Sequence, residues 1–412
     1  MSNAMRRFDR RLSLIGTVMD RGGPPQKHLV LVGGGHSHVE VLRRLGLARS
    51  ETVRVTLIGR DRFTPYSGML PGVVAGHYDF ADAHIDLKPL CDFAGAHFIE
   101  DRVVGLDPDR RVVRCATGPL ISYDILSINI GSSPNLAGIP GAEKVGVPVK
   151  PINGFLVYWH ELVERVLAAQ GPVRIGVIGT GAGGIEMVLA VQYGLHQLLM
   201  AAGRDPAMVT LSLFGRSDRV LAGYAPGVQA RFERILRARG IIVHSNAVVI
   251  AAEPGLLRCA DGRDYPVDEM LFVTEAGAPP WLREAGITLD QHGFIAVNLA
   301  LQSLSHSTIF AAGDVASVIG APRPKSGVFA VRQGPPLAEN LRSSFTGGTM
   351  RYFQPQNEAL ALLSTGDRYA VASRGGWTME GRLMWRWKDW IDRRFMRRYQ
   401  ILPSRPGETA GA

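Results

Sequence analysis

Gly33-Gly34-Gly35-His36-Ser37-His38 follows the apolar run His28–Val32 and leads into Val39–Leu47, and its reading decides the fold. Strand, glycine turn and helix in that order bring backbone N–H groups to a helix N-terminus, where unpaired donors and the helix dipole suit a diphosphate. Alone, the pattern is a weak signal. It gains force because Gly179-Thr180-Gly181-Ala182-Gly183-Gly184 repeats it between Val173–Ile178 and Ile185–Met200. Further on, Ser307-Thr308-Ile309-Phe310-Ala311-Ala312-Gly313-Asp314 ends a short strand on an acid beside a glycine. Three such placements predict an α/β chain with two Rossmann-like dinucleotide-binding domains.

Working outward, the first unit reads as strand Lys27–Val32, helix Val39–Leu47 and strand Val53–Ile58, with short strands near Val103 and Val112 and a buried strand within Tyr123–Ser132. Gly138, Pro140, Gly141, Gly146, Pro148 and Pro151 then punctuate a linker. A second unit repeats the plan: helix Phe155–Ala169, strand Val173–Ile178, helix Ile185–Met200, strand Val209–Phe214, and a closing run Asp268–Pro279 that echoes Tyr123–Ser132. From Gly293 the pattern returns to the first unit. The expected division is therefore nested: residues 27–150 and 291–350 form one domain, 151–290 are inserted in it, and 351–412 make a small C-terminal domain. Residues 1–26, with Arg6, Arg7, Arg10 and Arg11, read as a disordered basic tail.

The composition narrows the function classes. With 412 residues, 46% of them hydrophobic, the chain is an ordinary globular protein, and it lacks the ~20-residue apolar run of a membrane-spanning helix. Its net charge of +9 is carried mostly by arginine, which attracts phosphates and anionic surfaces. Nucleic-acid binding is not favoured, because only the C-terminal segment gathers basic and aromatic residues together. Three scattered cysteines, Cys91, Cys115 and Cys259, form neither a CxxC nor a metal spacing and fit a reducing, cytoplasmic setting. Cys115 and Cys259 each precede a glycine-containing turn, which predicts equivalent hairpin strands.

From Lys27 to Leu341 the chain resembles the two-domain flavoproteins of the pyridine nucleotide-disulfide oxidoreductase superfamily, on the two glycine loops and Gly313-Asp314. Within it, the type II NADH dehydrogenase branch is the nearest look-alike. More narrowly, Gly35-His36-Ser37-His38, Thr64–Gly72 and Lys325–Arg332 resemble a flavoprotein module fused in some bacteria ahead of selenophosphate synthetase, although no synthetase portion is present. The resemblance implies FAD and NAD(P)H as cofactors. It places Gly33, Gly35, His36 and Ser37 in the FAD pyrophosphate loop, with Arg60, Pro65 and Val103 in the same binding set. Gly131 becomes the crossing beside the flavin, and Asp314, next to Gly313, the acid on the ribityl chain. Gly179, Gly181 and Gly184 become the nicotinamide-nucleotide loop, Glu186 the acid near the flavin–nicotinamide contact, and Arg332 and Gln333 part of the segment along the flavin ring. Arg332, Lys325 or a backbone amide is expected to stabilise the anionic reduced flavin near N1.

Departures from that family's pattern matter as much. His38 stands where the third glycine of the first loop belongs, so either the helix stands off or the imidazole points at the cofactor; a packed, neutral histidine is the favoured reading. The acid that would accept from ribose hydroxyls is replaced by Gly59-Arg60 and by Gly215-Arg216. Arg216, Ser217 and Arg219 suit a 2′-phosphate and favour NADPH over NADH, against the alternative of solvated surface charge. No cysteine pair follows Arg60, and the AQxAxQ segment of the type II enzymes is matched by Gly327, Val328 and Arg332, which puts quinone in question as the acceptor.

The expected function is an FAD-dependent NAD(P)H oxidoreductase working without a redox-active disulfide on an unidentified acceptor: a quinone, a small molecule or an electron-transfer protein. Three rivals remain: a type II NADH:quinone dehydrogenase at the membrane surface, a ferredoxin-type reductase, and a flavin-bearing redox sensor or partner protein in selenium metabolism. In the C-terminal run, Leu383, Met384, Trp387, Trp390, Ile391 and Phe395 share one side of a helix. That side predicts contact with an anionic membrane face, with a dimer mate or with the flavin domain, the three standing as alternatives.

Overall fold

The computed structural model describes residues 26–403 apart from 135, 137 and 357, so the basic tail lies, save for Gln26, outside the described residues. Two parallel five-stranded sheets dominate. The first contains β1 (Lys27–Val32), β2 (Val53–Gly59), β3 (Ala96–Glu100), β4 (Ile125–Ile128) and β10 (Ile309–Ala311), in the order β10-β4-β1-β2-β3. The second contains β5 (Gly146–Pro148), β6 (Val173–Ile178), β7 (Val209–Phe214), β8 (Ile242–His244) and β9 (Glu269–Phe272), in the order β5-β9-β6-β7-β8. Strands covered on both faces are apolar where they are covered, and Leu29–Val32 and Ile175–Ile178 are accordingly buried.

After β1 comes α1 (His36–Leu47); after β6 comes the longer α4 (Ala182–Ala201), preceded by α3 (Ile152–Ala168). A short α2 (Leu70–Val74) and the late α5 (Gly327–Thr346) also belong to the nucleotide-binding units. Last come the antiparallel β11 (Ala361–Thr365), β12 (Asp367–Arg374) and β13 (Trp377–Gly381), then α6 (Arg382–Gln400). Cys115 and Cys259 both sit buried in three-stranded antiparallel sheets, as their turns implied.

Three expectations need correction. β5 pairs with β9, so the second sheet begins inside the stretch read as linker; a three-residue strand between glycine and proline shows no periodicity of its own. Leu282, Ala285 and Ile287 pack into the first core, so the return precedes residue 291. The segment read as a small separate domain divides its packing, with Leu363 and Val371 in the second core and Met396 and Tyr399 in the first.

The last helix sets Phe395 of its apolar side against the first core and leaves most of the rest of that side outward. Its buried positions are Lys388, Asp392, Met396 and Tyr399, whereas Leu383 is 70% and Trp390 55% exposed, and Trp387 faces solvent as well. A hydrophobicity rule sends the tryptophan side inward. Here an internal Lys388–Asp392 pair at 2.6 Å, one helical turn apart, satisfies the inner face.

Candidate functional site

Both glycine loops lie at the carboxyl ends of their sheets' central strands, at the place where open α/β sheets take ligands. In the first, Gly33 has φ +93°, and an added Cβ would stand 2.4 Å from the Asn129 carbonyl oxygen. At Gly35 it would meet Asn129 Oδ1 at 2.2 Å. Asn129 itself was not among the expected site residues. Its Oδ1 accepts from the Ser37 and His38 N–H groups (3.1 and 3.3 Å), and its Nδ2 donates to the Ala312 carbonyl at 2.6 Å. It thereby caps α1 from a neighbouring strand, where Gly35 has no side chain to do so. The legible signal was polar Ser127 and Asn129, two residues apart in an otherwise apolar run.

His38 is fully buried. Its Nδ1 donates to the Gly33 carbonyl at 2.6 Å, leaving Nε2 to accept from the Ser127 hydroxyl at 2.8 Å. Burial lowers its pKa to about 4, so the ring is neutral at neutral pH. Ser37 donates to the Ala330 carbonyl at 2.6 Å and ties α1 to α5. His36, lowered by burial to about 4 as well, keeps a buried Nε2 without a hydrogen-bond partner in the structure.

Asp314 is brought beside this loop. Its Oδ2 accepts from Lys150 Nζ at 3.0 Å and from Ser132 at 3.2 Å, while Gln333 Oε1 accepts from the Gly313 N–H at 2.6 Å. Gly131 has φ +71° and open space where a Cβ would point. Arg332 leaves Nη1 buried and unpartnered. Lys325 is drawn away, its ammonium donating to the Ala316 carbonyl and lying 3.9 Å from the centroid of the Phe294 ring; burial lowers its pKa. Arg60 forks onto Asp61 at 2.8–2.9 Å, so an acid does stand at this strand end, one position later. Pro65 ends a short strand paired with His84, and Val103 opens a separate antiparallel sheet. The glycine cradle, Asp314 and the unpartnered polar atoms of His36 and Arg332 fit a bound dinucleotide with a negatively charged diphosphate.

The second loop is barer. Gly179 has φ +124°, Gly181 faces open space, and a Cβ on Gly184 would lie 1.8 Å from the Gly179 carbonyl oxygen. Here the third glycine is obligatory, since helix and strand touch. Arg216 is exposed and paired with Glu275, an acid delivered from the chain beyond β9 rather than from the end of β7. Arg219 reaches Gln229 at 3.4 Å.

Glu186 lies on the inner side of α4, not on its surface. Its Oε1 accepts from the Ser364 N–H at 2.7 Å and hydroxyl at 2.9 Å. Facing it are Lys388, which also donates to the Gly68 carbonyl at 2.7 Å, and Asp392, which hydrogen-bonds the Tyr66 hydroxyl. One cation serves two carboxylates. Burial raises the pKa of both Glu186 and Asp392 against the pull of Lys388; burial also opposes the lysine's charge, but the two acids outweigh it. The Tyr66 ring lies 4.6 Å from Phe395 and 5.3 Å from His36, linking this cluster to the first loop.

Comparison with known proteins agrees with this geometry. Over 361 residues the chain is 25% identical to a sulfide-quinone reductase of Aquifex aeolicus (strain VF5), covering 83% of this chain and 82% of that protein. Over 372 residues it is 26% identical to the demethylphylloquinone reductase NdbB of Synechocystis sp. (strain ATCC 27184 / PCC 6803 / Kazusa), covering 86% and 88% respectively. The solved structure of NDH2 from Plasmodium falciparum in complex with NADH superposes with a TM-score of 0.76 over 92% of this chain and 99% of that one; at 12% identity, it speaks to the fold alone. Residues 27–334 match the model of the pyridine nucleotide-disulphide oxidoreductase family, and the chain is a member of that family.

Proposed function

We propose that this oxidoreductase uses FAD and NAD(P)H to reduce a quinone-type acceptor, one that takes up protons together with electrons. The buried Glu186–Lys388–Asp392–Tyr66 cluster carries the reading, because a one-electron protein acceptor needs no proton store beside the flavin loop. When bound, the flavin supplies hydride acceptance from the nicotinamide and electron delivery to the acceptor. The residues of the chain bind, orient and manage protons. Gly33, Gly35 and Asp314 would hold FAD, and Gly179, Gly181 and Gly184 the nicotinamide nucleotide. Tyr66, Phe395 and His36 exclude water from the junction between loop and cluster. Lys388 keeps a proton at Nζ between two acids that each resist ionisation.

The two quinone reductases among the relatives support this choice of acceptor. No helix among the described residues is long and apolar enough to cross a membrane. The outward Leu383, Trp387 and Trp390, with Arg394 over the Trp390 ring, favour peripheral contact with an anionic lipid face. The three free cysteines are all buried, which supports turnover without a thiol relay.

Steady-state turnover with a short-chain quinone and with a ferredoxin-type protein tests the proposal. In Lys388→Met, quinone turnover falls by at least about a hundredfold while flavin reduction by NAD(P)H stays within about twofold. Equal losses in both half-reactions, or faster turnover with the ferredoxin, would overturn it.

A further inference from the structure

A cavity of about 1040 Å³ opens between α2, α3, α4, the β11–β12 turn and the start of α6. Its volume suits a drug-sized organic ligand. None of the glycine-loop residues lines it, nor do Asp314, Glu186 or Lys388. Val73, Val74, Val163 and Leu198 give it aliphatic surface. Tyr193 and Trp385 flank His77, with ring centroids 5.4 and 5.6 Å from the imidazole.

The charge around this apolar surface is one-sided. Arg368, Arg382 and Arg386 line the cavity, and among the described residues no ion pair engages any of them. The single lining carboxylate, Asp367, is already paired with Arg239. His77 adds no further positive charge: its Nε2 donates to the Gly366 carbonyl at 2.8 Å, and burial favours the neutral ring. Arg382 and Arg386 sit one turn apart on α6, so their guanidinium groups can share one acid, and Arg368 stands beside the same helix with its guanidinium 5.7 Å from the centroid of the Trp385 ring. The backbone beneath is close-packed, since a Cβ on Gly194 would stand 2.3 Å from the Val74 carbonyl oxygen.

We propose that this groove binds an amphipathic organic anion, a long-chain carboxylate whose apolar body lies along Val73, Val163 and Leu198 and whose head meets the three arginines. The site is separate from both dinucleotide cradles and does not depend on which acceptor the enzyme uses.

Titration of the FAD-loaded protein with dodecanoate below its micelle concentration, followed by calorimetry and tryptophan fluorescence, tests this. Saturable one-to-one binding is expected, with dodecanol and hexanoate each at least about tenfold weaker. The double variant Arg382→Gln/Arg386→Gln and, independently, Val163→Trp, which fills the groove while leaving the arginines, each weaken dodecanoate by at least about tenfold. Flavin content and the rate of flavin reduction by NAD(P)H stay unchanged in both. Equal affinity for dodecanol, or dodecanoate binding indifferent to both variants, overturns the proposal. So does the absence of dodecanoate binding from a protein that binds phosphatidylglycerol vesicles through the same arginines, since the occupant is then a lipid surface.

Discussion

The two glycine loops have one pattern and opposite construction. At Gly184 the helix and the turn are in contact, and the Gly179 carbonyl leaves no room for a side chain. At the matching position of the first loop, His38 spans the gap and hydrogen-bonds the equivalent carbonyl, that of Gly33, while Ser127 and Asn129 from β4 and the residue just beyond it hold the rest. One loop is closed by direct contact, the other by a buried polar network. The difference suits a resident group in the first and an exchanging one in the second: a satisfied network fixes a single geometry, whereas bare N–H groups wait for their ligand.

The comparison is broken most severely at the second loop. Gly184→Ala forces the turn open and slows flavin reduction by NAD(P)H by at least about a hundredfold, read by stopped-flow bleaching, while flavin content is retained. Gly35→Ala does the converse: a Cβ 2.2 Å from Asn129 Oδ1 displaces the cap, and the protein purifies colourless. Normal colour from that variant would show that the network yields.

Next in size, His38→Gly leaves Gly33 O and Ser127 unpaired around a cavity and lowers stability by about 2–4 kcal/mol in denaturant titration, whereas Gly184 tolerates no reverse exchange to histidine. The same histidine sets an acid window. Its folded pKa is lowered from 6.5 to about 4, so in that interval the unfolded chain binds a proton that the folded one does not. Stability is full above pH 6.5 and is lost as pH falls toward 4; His36 adds a parallel contribution. In His38→Gly the slope of stability against pH becomes shallower.

The smallest effect sharpens the second loop's choice of nucleotide. Arg216→Ala raises the KM for NADPH by about tenfold and that for NADH by under about twofold. Equal changes would mean that Arg216 serves only its surface pair with Glu275.

Much of this was readable in residue order. The strands Val173–Ile178 and Val209–Phe214 stand where the apolar runs put them, because Ile175, Val177, Ile178, Leu211, Leu213 and Phe214 must all be buried beneath the covering helices. The first turn of α1 was not, since His36-Ser37-His38 is polar and its cap comes from Asn129, 92 positions from Ser37. Glu275 was hidden for the same reason: tertiary pairing, not local pattern, sets it opposite Arg216. The last helix was legible in its apolar side, read as a contact surface, but not in its inner face, which is set by a lysine whose partners are Asp392 and the turn at Gly68.

Tyr399, near the end of the last helix, hydrogen-bonds Glu40 on the first, across 359 positions of chain. On the ribosome, then, the core of the first unit is sealed only after the chain has emerged as far as Tyr399. The inserted unit shares that dependence, since its own core takes in Leu363 and Val371.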